Sequence, residues 1–190
     1  MKPAFVLSAM LALAPISALA AEPNPAMQAF LHGTVLAWAH DPVIVEAVKA
    51  QNAQTAGYDA AHIDALDKTW RAEVGTAATP TIDPVLTNAA ADFLRGRVAA
   101  NGAMITEVFI MDAQGLNVAA SSVTSDYWQG DEDKFQQTFP MGPGAEHYSE
   151  IEFDESSQSY QAQVSISLTD PASGEVIGAM TVGIIADALM

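Results

Sequence analysis

An α+β fold is the class this sequence predicts, and three observations predict it. Helical apolar spacing and helix-entry signals occupy residues 27–101, whereas period-two alternation and β-branched runs dominate residues 105–185. The two patterns are segregated along the chain instead of alternating. A composition of 50% hydrophobic and 16% charged residues over 190 positions supplies a sizeable core for one domain.

The first twenty residues read as an export signal: Lys2 precedes the apolar run Ala4 to Ala14, and Ala18-Leu19-Ala20 is a small-residue cleavage site. Cleavage is expected before Ala21. The apolar run is short and ends at Pro15, which disfavours a retained anchor, and Val176 to Ile185 is too short to cross a bilayer as a helix. With no cysteine, a lipid-modified cysteine, a disulfide framework and thiolate chemistry are excluded. The expected protein is periplasmic or secreted, with no membrane insertion after cleavage.

Met27, Phe30, Leu31, Thr34, Val35 and Trp38 recur at helical spacing and form one core-facing stripe. Asp41-Pro42 supplies an N-cap and first-turn proline for a helix to about Ala53 with Val45 and Val48 inward. Residues 59–74 repeat the pattern, with Ile63, Leu66 and Trp70 on one face. There Asp67 and Arg71 form an i,i+4 pair, worth only about 0.3–0.5 kcal/mol when exposed. Asp83-Pro84 opens a further helix that runs to the Asn101-Gly102 turn.

Ile105 to Met111 is strand-like, Asp112-Ala113-Gln114-Gly115 is a turn, and Leu116 to Ala120 returns, giving a hairpin. Ser121 to Asp126 then leads into Tyr127-Trp128-Gln129-Gly130-Asp131. Asp131 is expected to cap a helix that carries Phe135 and Phe139 inward and breaks at Gly142-Pro143-Gly144. His147 to Phe153 is strand-like. Tyr160, Ala162, Val164, Ile166 and Leu168 alternate with Gln161, Gln163, Ser165 and Ser167, so one face is buried and the other polar. Asp170 to Glu175 turns the chain into the apolar strand 176–185. Five strands are expected, at 105–111, 116–120, 148–153, 160–168 and 176–185.

The D-x-x-G turn of Asp112 and Gly115, followed by Ser125-Asp126-Tyr127-Trp128-Gln129-Gly130-Asp131-Glu132, resembles the single-Cache, PAS-like extracellular sensor domains of bacteria. The likeness extends more weakly from about Trp38 to Leu189. It implies helices packed on one face of a five-stranded antiparallel sheet of order 2-1-5-4-3, with the crossover between strands two and three enclosing a small-molecule site on the other. The division expected is residues 1–20 as signal peptide, 21–100 as helical part and 101–190 as sheet with ligand loop, 21–190 being one domain. The implied ligand-binding candidates are Tyr127, Trp128, Asp131, Lys134, Tyr148, Gln163 and Ser165. Receptor members continue into a transmembrane helix and signalling domain, whereas this sequence ends at Met190. A free-standing exported binding module is therefore expected, acting with a membrane receptor or sensor kinase. The alternative is a structural or protein-interaction role without a small ligand.

Other functions fit less well. No G-x-S-x-G, H-E-x-x-H or phosphate-binding Gly loop is present, and His32, His40, His62 and His147 are scattered, so no enzyme and no cofactor is expected. The carboxylate clusters 131–133 and 154–155 lack the EF-hand spacing, which leaves no metal site assigned. After removal of Lys2 with the signal, six basic residues face 23 acidic ones, a formal charge of −17. Nucleic acid is excluded as a partner by that field. After Val98, Lys134 is the only basic residue among fourteen carboxylates, so a cationic or neutral ligand is expected.

Overall fold

The computed structural model describes residues 24–154 and 157–190, so the expected signal peptide lies outside the described residues. Among the described residues no helix is long and apolar enough to cross a membrane. Four longer helices, α1 (Pro25–Gly33), α2 (Pro42–Thr55), α3 (Ala60–Glu73) and α5 (Ala89–Ala100), and the short α4 (Asp83–Leu86) precede the sheet. The cap signals are realised in side-chain bonds. Asp41 accepts from the Val43 amide at 3.0 Å, and Asp59 from the His62 amide at 2.8 Å.

Two expected helices are interrupted. The first apolar stripe stops being α-helical at Gly33 and continues as a single 3₁₀ turn at Val35–Ala37, which still buries Val35. The helix entered at Asp83-Pro84 breaks at Thr87, and Asn88 recaps α5 by accepting from the Ala91 amide at 2.9 Å. Asn88 also donates to the Val118 carbonyl at 2.9 Å, so the break is fixed by the strand below it.

The sheet has six strands and not five: β1 (Ile105–Met111), β2 (Asn117–Ala120), β3 (Glu146–Tyr148), β4 (Glu152–Asp154), β5 (Ser159–Thr169) and β6 (Val176–Ile185). Its antiparallel order is β2-β1-β6-β5-β3, with β4 also pairing β5. This is the 2-1-5-4-3 order with the third strand divided. Tyr148 opposes Val164 and Glu152 opposes Gln161, so four steps on the edge match three on β5. One residue too many on the edge is a bulge, and it reverses which side chains face which side.

Alternation gives the sheet two different faces. Val108, Ile110, Val164, Ile166, Leu168, Met180, Val182 and Ile184 are buried with Leu31, Ile44, Val48 and Leu94 beneath α1, α2 and α5. The other face carries a smaller apolar cluster of Phe109, Met111, Ala179, Trp70, Ile82 and Phe135. Tyr160 departs from the expected inward set, being 62% exposed, and meets Phe153 edge-on with ring centroids 5.4 Å apart.

The D-x-x-G turn is held by one carboxylate. Asp112 accepts the Gln114 and Leu116 amides through Oδ1, at 2.8 and 3.0 Å, while its Oδ2 accepts from Thr55 at 2.8 Å and Gln51 at 3.1 Å on α2. Turn and helix are thus joined through a fully buried group.

Candidate functional site

Residues 124–130 form a ribbon against the β1–β2 turn. Asn117 donates its amide to the Tyr127 carbonyl at 3.0 Å, Gln129 donates to the Gly115 carbonyl at 2.8 Å, and the Trp128 indole donates to the Gln114 carbonyl at 2.9 Å. The ribbon is gripped from above by α3. Asp67 Oδ1 accepts the amides of Tyr127 and Trp128 at 2.9 and 3.0 Å. Arg71 donates from Nε to Asp67 at 2.7 Å and from Nη2 to Asp126 at 2.9 Å. The expected i,i+4 pair is present, and it is one edge of a larger tertiary clamp. Trp70 is fully buried, stacks on Tyr127 at 5.4 Å and donates to the Thr124 carbonyl at 2.9 Å. Burial raises the pKa of Asp126, Glu132 adds to that, and Arg71 opposes it.

Beyond Gly130 the chain crosses the polar sheet face and leaves a concavity of about 770 Å³. It is lined by Gln161 and Gln163 of β5, by Asp131 to Lys134, and by residues 147–150 and 152–154. The expected helix here is a single turn, α6 (Asp133–Gln136), followed by a 3₁₀ turn at Phe139–Met141. Glu132 occupies the N-cap position with no side-chain cap bond, so Asp131 does not cap it. Phe135 and Phe139 do stack, at 5.2 Å, over the smaller apolar cluster.

Of the seven candidates, Asp131, Lys134, Tyr148 and Gln163 line the concavity. Tyr127 and Trp128 lie in the clamped ribbon, and Ser165 is buried, sharing a 2.9 Å hydrogen bond with Thr181. Tyr148 packs its ring toward the helix-side core and donates to Glu146 at 2.6 Å. Lys134 Nζ lies 2.9 Å from Glu132 and 5.4 Å above the Phe109 ring, so its charge is already paired. His147 is lowered in pKa by burial; Asp133 raises it and Lys134 lowers it further.

Glu107 was not among the candidates, yet it is only 2% exposed on the same face. It accepts from the side-chain amides of Gln161 and Gln163 at 2.8 and 3.2 Å. A lone carboxylate inside the apolar run Ile105–Met111 was the available signal. Glu150, Glu152 and Asp154 also line the concavity and were missed, because the bulge that turns Glu152 and Asp154 to that side is fixed by pairing with β5.

No family model matches the chain, and a search of curated proteins finds no match. Among solved structures it is similar to the sensor domain of the Vibrio cholerae histidine kinase DctB, with 14% identity over 86% of this chain and a TM-score of 0.41. It is also similar to the ligand-binding domain of the Campylobacter jejuni chemoreceptor Tlp3 in complex with L-valine, with 14% identity over 90% of this chain and a TM-score of 0.44. The chain spans 50% of the DctB domain and 66% of the Tlp3 domain, less than two thirds of either. Identity at this level concerns fold alone, so no residue role is carried across from the two structures.

Proposed function

We propose that residues 21–190 are one Cache-like sensing module that binds a small cationic or neutral molecule in the concavity over the polar sheet face. The observation that carries this reading is the concavity itself: about 770 Å³, with several carboxylates in its lining and its single lysine already paired. The proposed setting is the periplasm or cell exterior after loss of residues 1–20, with signalling through, or presentation to, a membrane receptor or sensor kinase. The proposed activity is binding and not turnover.

A thermal-shift screen of amines, neutral polar metabolites and dicarboxylates tests the reading. A ligand at one hundred times its dissociation constant adds about 2.7 kcal/mol of stability and raises the melting temperature. Selective stabilisation by dicarboxylates would overturn the charge argument. A second reading, a protein-interaction role, is favoured by one feature: Phe153 and Tyr160 pack together while 50% and 62% exposed, beside the 44% exposed Ile151. If no small molecule shifts the protein and Phe153→Ser abolishes association with a copurifying partner, that reading replaces the first.

A further inference from the structure

Three strands bring one carboxylate and two carboxamides together under the concavity. Glu107 of β1 opposes Gly183 of β6, and Gly183 opposes Gln163 of β5, so the three residues form one row across the sheet. Residues two strands apart have Cα atoms about 9–10 Å from each other, and a side chain on the strand between them normally fills that space. Here glycine leaves it open. A Cβ at Gly183 would collide with the Thr106 hydroxyl and lie 2.6 Å from the Gln161 carbonyl oxygen, so polar groups occupy the place of the missing side chain. A bulge in β1 adds to the effect. Ile105 opposes Ile184 and Glu107 opposes Gly183, which makes Thr106 the extra residue and lets its hydroxyl and the Glu107 carboxylate both reach Gln161.

The row fixes which way round the carboxamides sit. Glu107 is buried, and its Oε1 accepts from the Gln161 nitrogen at 2.8 Å and the Gln163 nitrogen at 3.2 Å. A carboxylate has no proton to donate, so it holds each planar amide with the nitrogen toward itself and the carbonyl oxygen turned away. The Gln161 oxygen is used inside the protein, by the hydroxyls of Thr106 and, at 3.3 Å, Ser157. Among the described residues no group donates to the Gln163 oxygen, and Gln163 lines the concavity.

Resting on the reading of this concavity as the ligand site, we infer that Glu107 is its positioning residue, and that the ligand meets the Gln163 carbonyl oxygen with an N–H donor, as an amine or amide does. Freed from Glu107, the Gln163 amide can turn over and offer nitrogen or oxygen alike. Held by it, the amide presents its oxygen. A ligand group that only accepts, such as a ketone or a carboxylate, then brings lone pairs against lone pairs and leaves both groups desolvated without a hydrogen bond. The gap over Gly183 is what lets one buried carboxylate set this preference from two strands away.

The test is NMR titration of isotope-labelled protein, with the Gln163 side-chain amide signals identified by their loss in Gln163→Leu. The probes are n-butylamine, butyramide, butanone and butyrate, which are of similar size and differ in the polar end. The amine and the amide are expected to shift the Gln163 signals and to bind about fivefold or more tightly than the ketone and the carboxylate, the worth of about one hydrogen bond. In Glu107→Gln, whose side chain donates as well as accepts, that ratio falls toward one and the Gln163 amide protons exchange faster with water. Gly183→Ala, which fills the gap instead, has the same effect, and Gln163→Leu removes the preference. Ile184→Ala, which destabilises the aliphatic side, leaves the ratio unchanged and so separates positioning from stability. If Glu107→Gln lowers the melting temperature but keeps the ratio, Glu107 is structural and the inference fails. A ketone or carboxylate that binds at Gln163 as tightly as the amide overturns it while leaving the ligand site standing. Donor probes that shift only signals outside the concavity overturn it, as does silence from all the probes. The wider metabolite screen then decides the ligand-site reading separately, since any metabolite that shifts the Gln163 signals keeps that reading standing.

Discussion

Asp67 shows how much a single carboxylate does here. Its Oδ1 accepts two successive ribbon amides and its Oδ2 accepts Arg71, which reaches on to Asp126. Asp67→Ala strips both amides of their partner, and urea denaturation is expected to show a loss of roughly 1–3 kcal/mol. A loss below about 0.5 kcal/mol would mean that water replaces the carboxylate and that the clamp is dispensable. The i,i+4 spacing of Asp67 and Arg71 was legible in the sequence, but the reach to Asp126 was not, since it depends on where α3 lies over a ribbon 55 residues later. His147 gives a pH-dependent prediction. Burial depresses its folded pKa below the ordinary 6.5, with Lys134 acting in the same direction and Asp133 against it. A depressed group contributes stability above its unfolded pKa and loses it as pH falls through the folded one. The melting temperature is therefore expected to drop between about pH 7 and about pH 5, and His147→Gln to flatten part of that drop. His40, also depressed by burial, acts in the same direction. An unchanged pH profile in the His147 variant would refute the assignment.

The hairpin of β1 and β2 and the ribbon at 124–130 meet so closely that the turn sequence is dictated by the contact. At Gly115, with φ +80°, a Cβ would sit 2.5 Å from the Gly130 Cα, against backbone that has nowhere to move. Gly174 has nearly the same dihedral, φ +76°, but nothing within 4 Å of a Cβ. Gly174→Ala is expected to cost about 1 kcal/mol from the backbone alone. Gly115→Ala adds overpacking and should cost about 2–4 kcal/mol, measured by chemical denaturation. Equal costs would show that the ribbon is free to lift off the turn. Glycine, turn and flanking strands were all readable locally, as were β5 and β6 from their alternation and apolar run. The division of β3 from β4 was not, because Glu146 to Asp154 carries strand-like residues throughout and only the pairing with β5 reveals the extra residue. The same bulge hid half of the cavity wall. In contrast, Asp131, Lys134 and Gln163 were reachable from charge and from polar alternation, while Tyr127 and Trp128 were candidates only through the family resemblance and lie in the ribbon.

Across the domain as a whole, the sheet separates an aliphatic core from a partly polar face. The side beneath α1, α2 and α5 is continuous aliphatic packing, with Ile184 only 1% exposed and Leu31, Ile44 and Leu94 fully buried. The opposite side keeps an apolar cluster at the β1–β2 end and gives its β5 end to Glu107, Gln161 and Gln163 under the concavity. The two kinds of surface are alternate residues of the same strands, so substitutions one position apart in β5 or β6 have different consequences. Ile184→Ala leaves a cavity in the aliphatic layer and is expected to cost about 2–5 kcal/mol of stability, without changing ligand affinity in the folded protein. Gln163→Ala removes one of the amides that Glu107 Oε1 accepts and should cost about 1 kcal/mol, because the Gln161 amide still donates to the same oxygen. Its larger effect should be on binding, measured by titration with whichever ligand the metabolite screen identifies. Paired denaturation and titration curves decide the matter. If Gln163→Ala destabilises the fold as much as Ile184→Ala and leaves affinity unchanged, the polar face is a second core and recognition belongs elsewhere on the molecule.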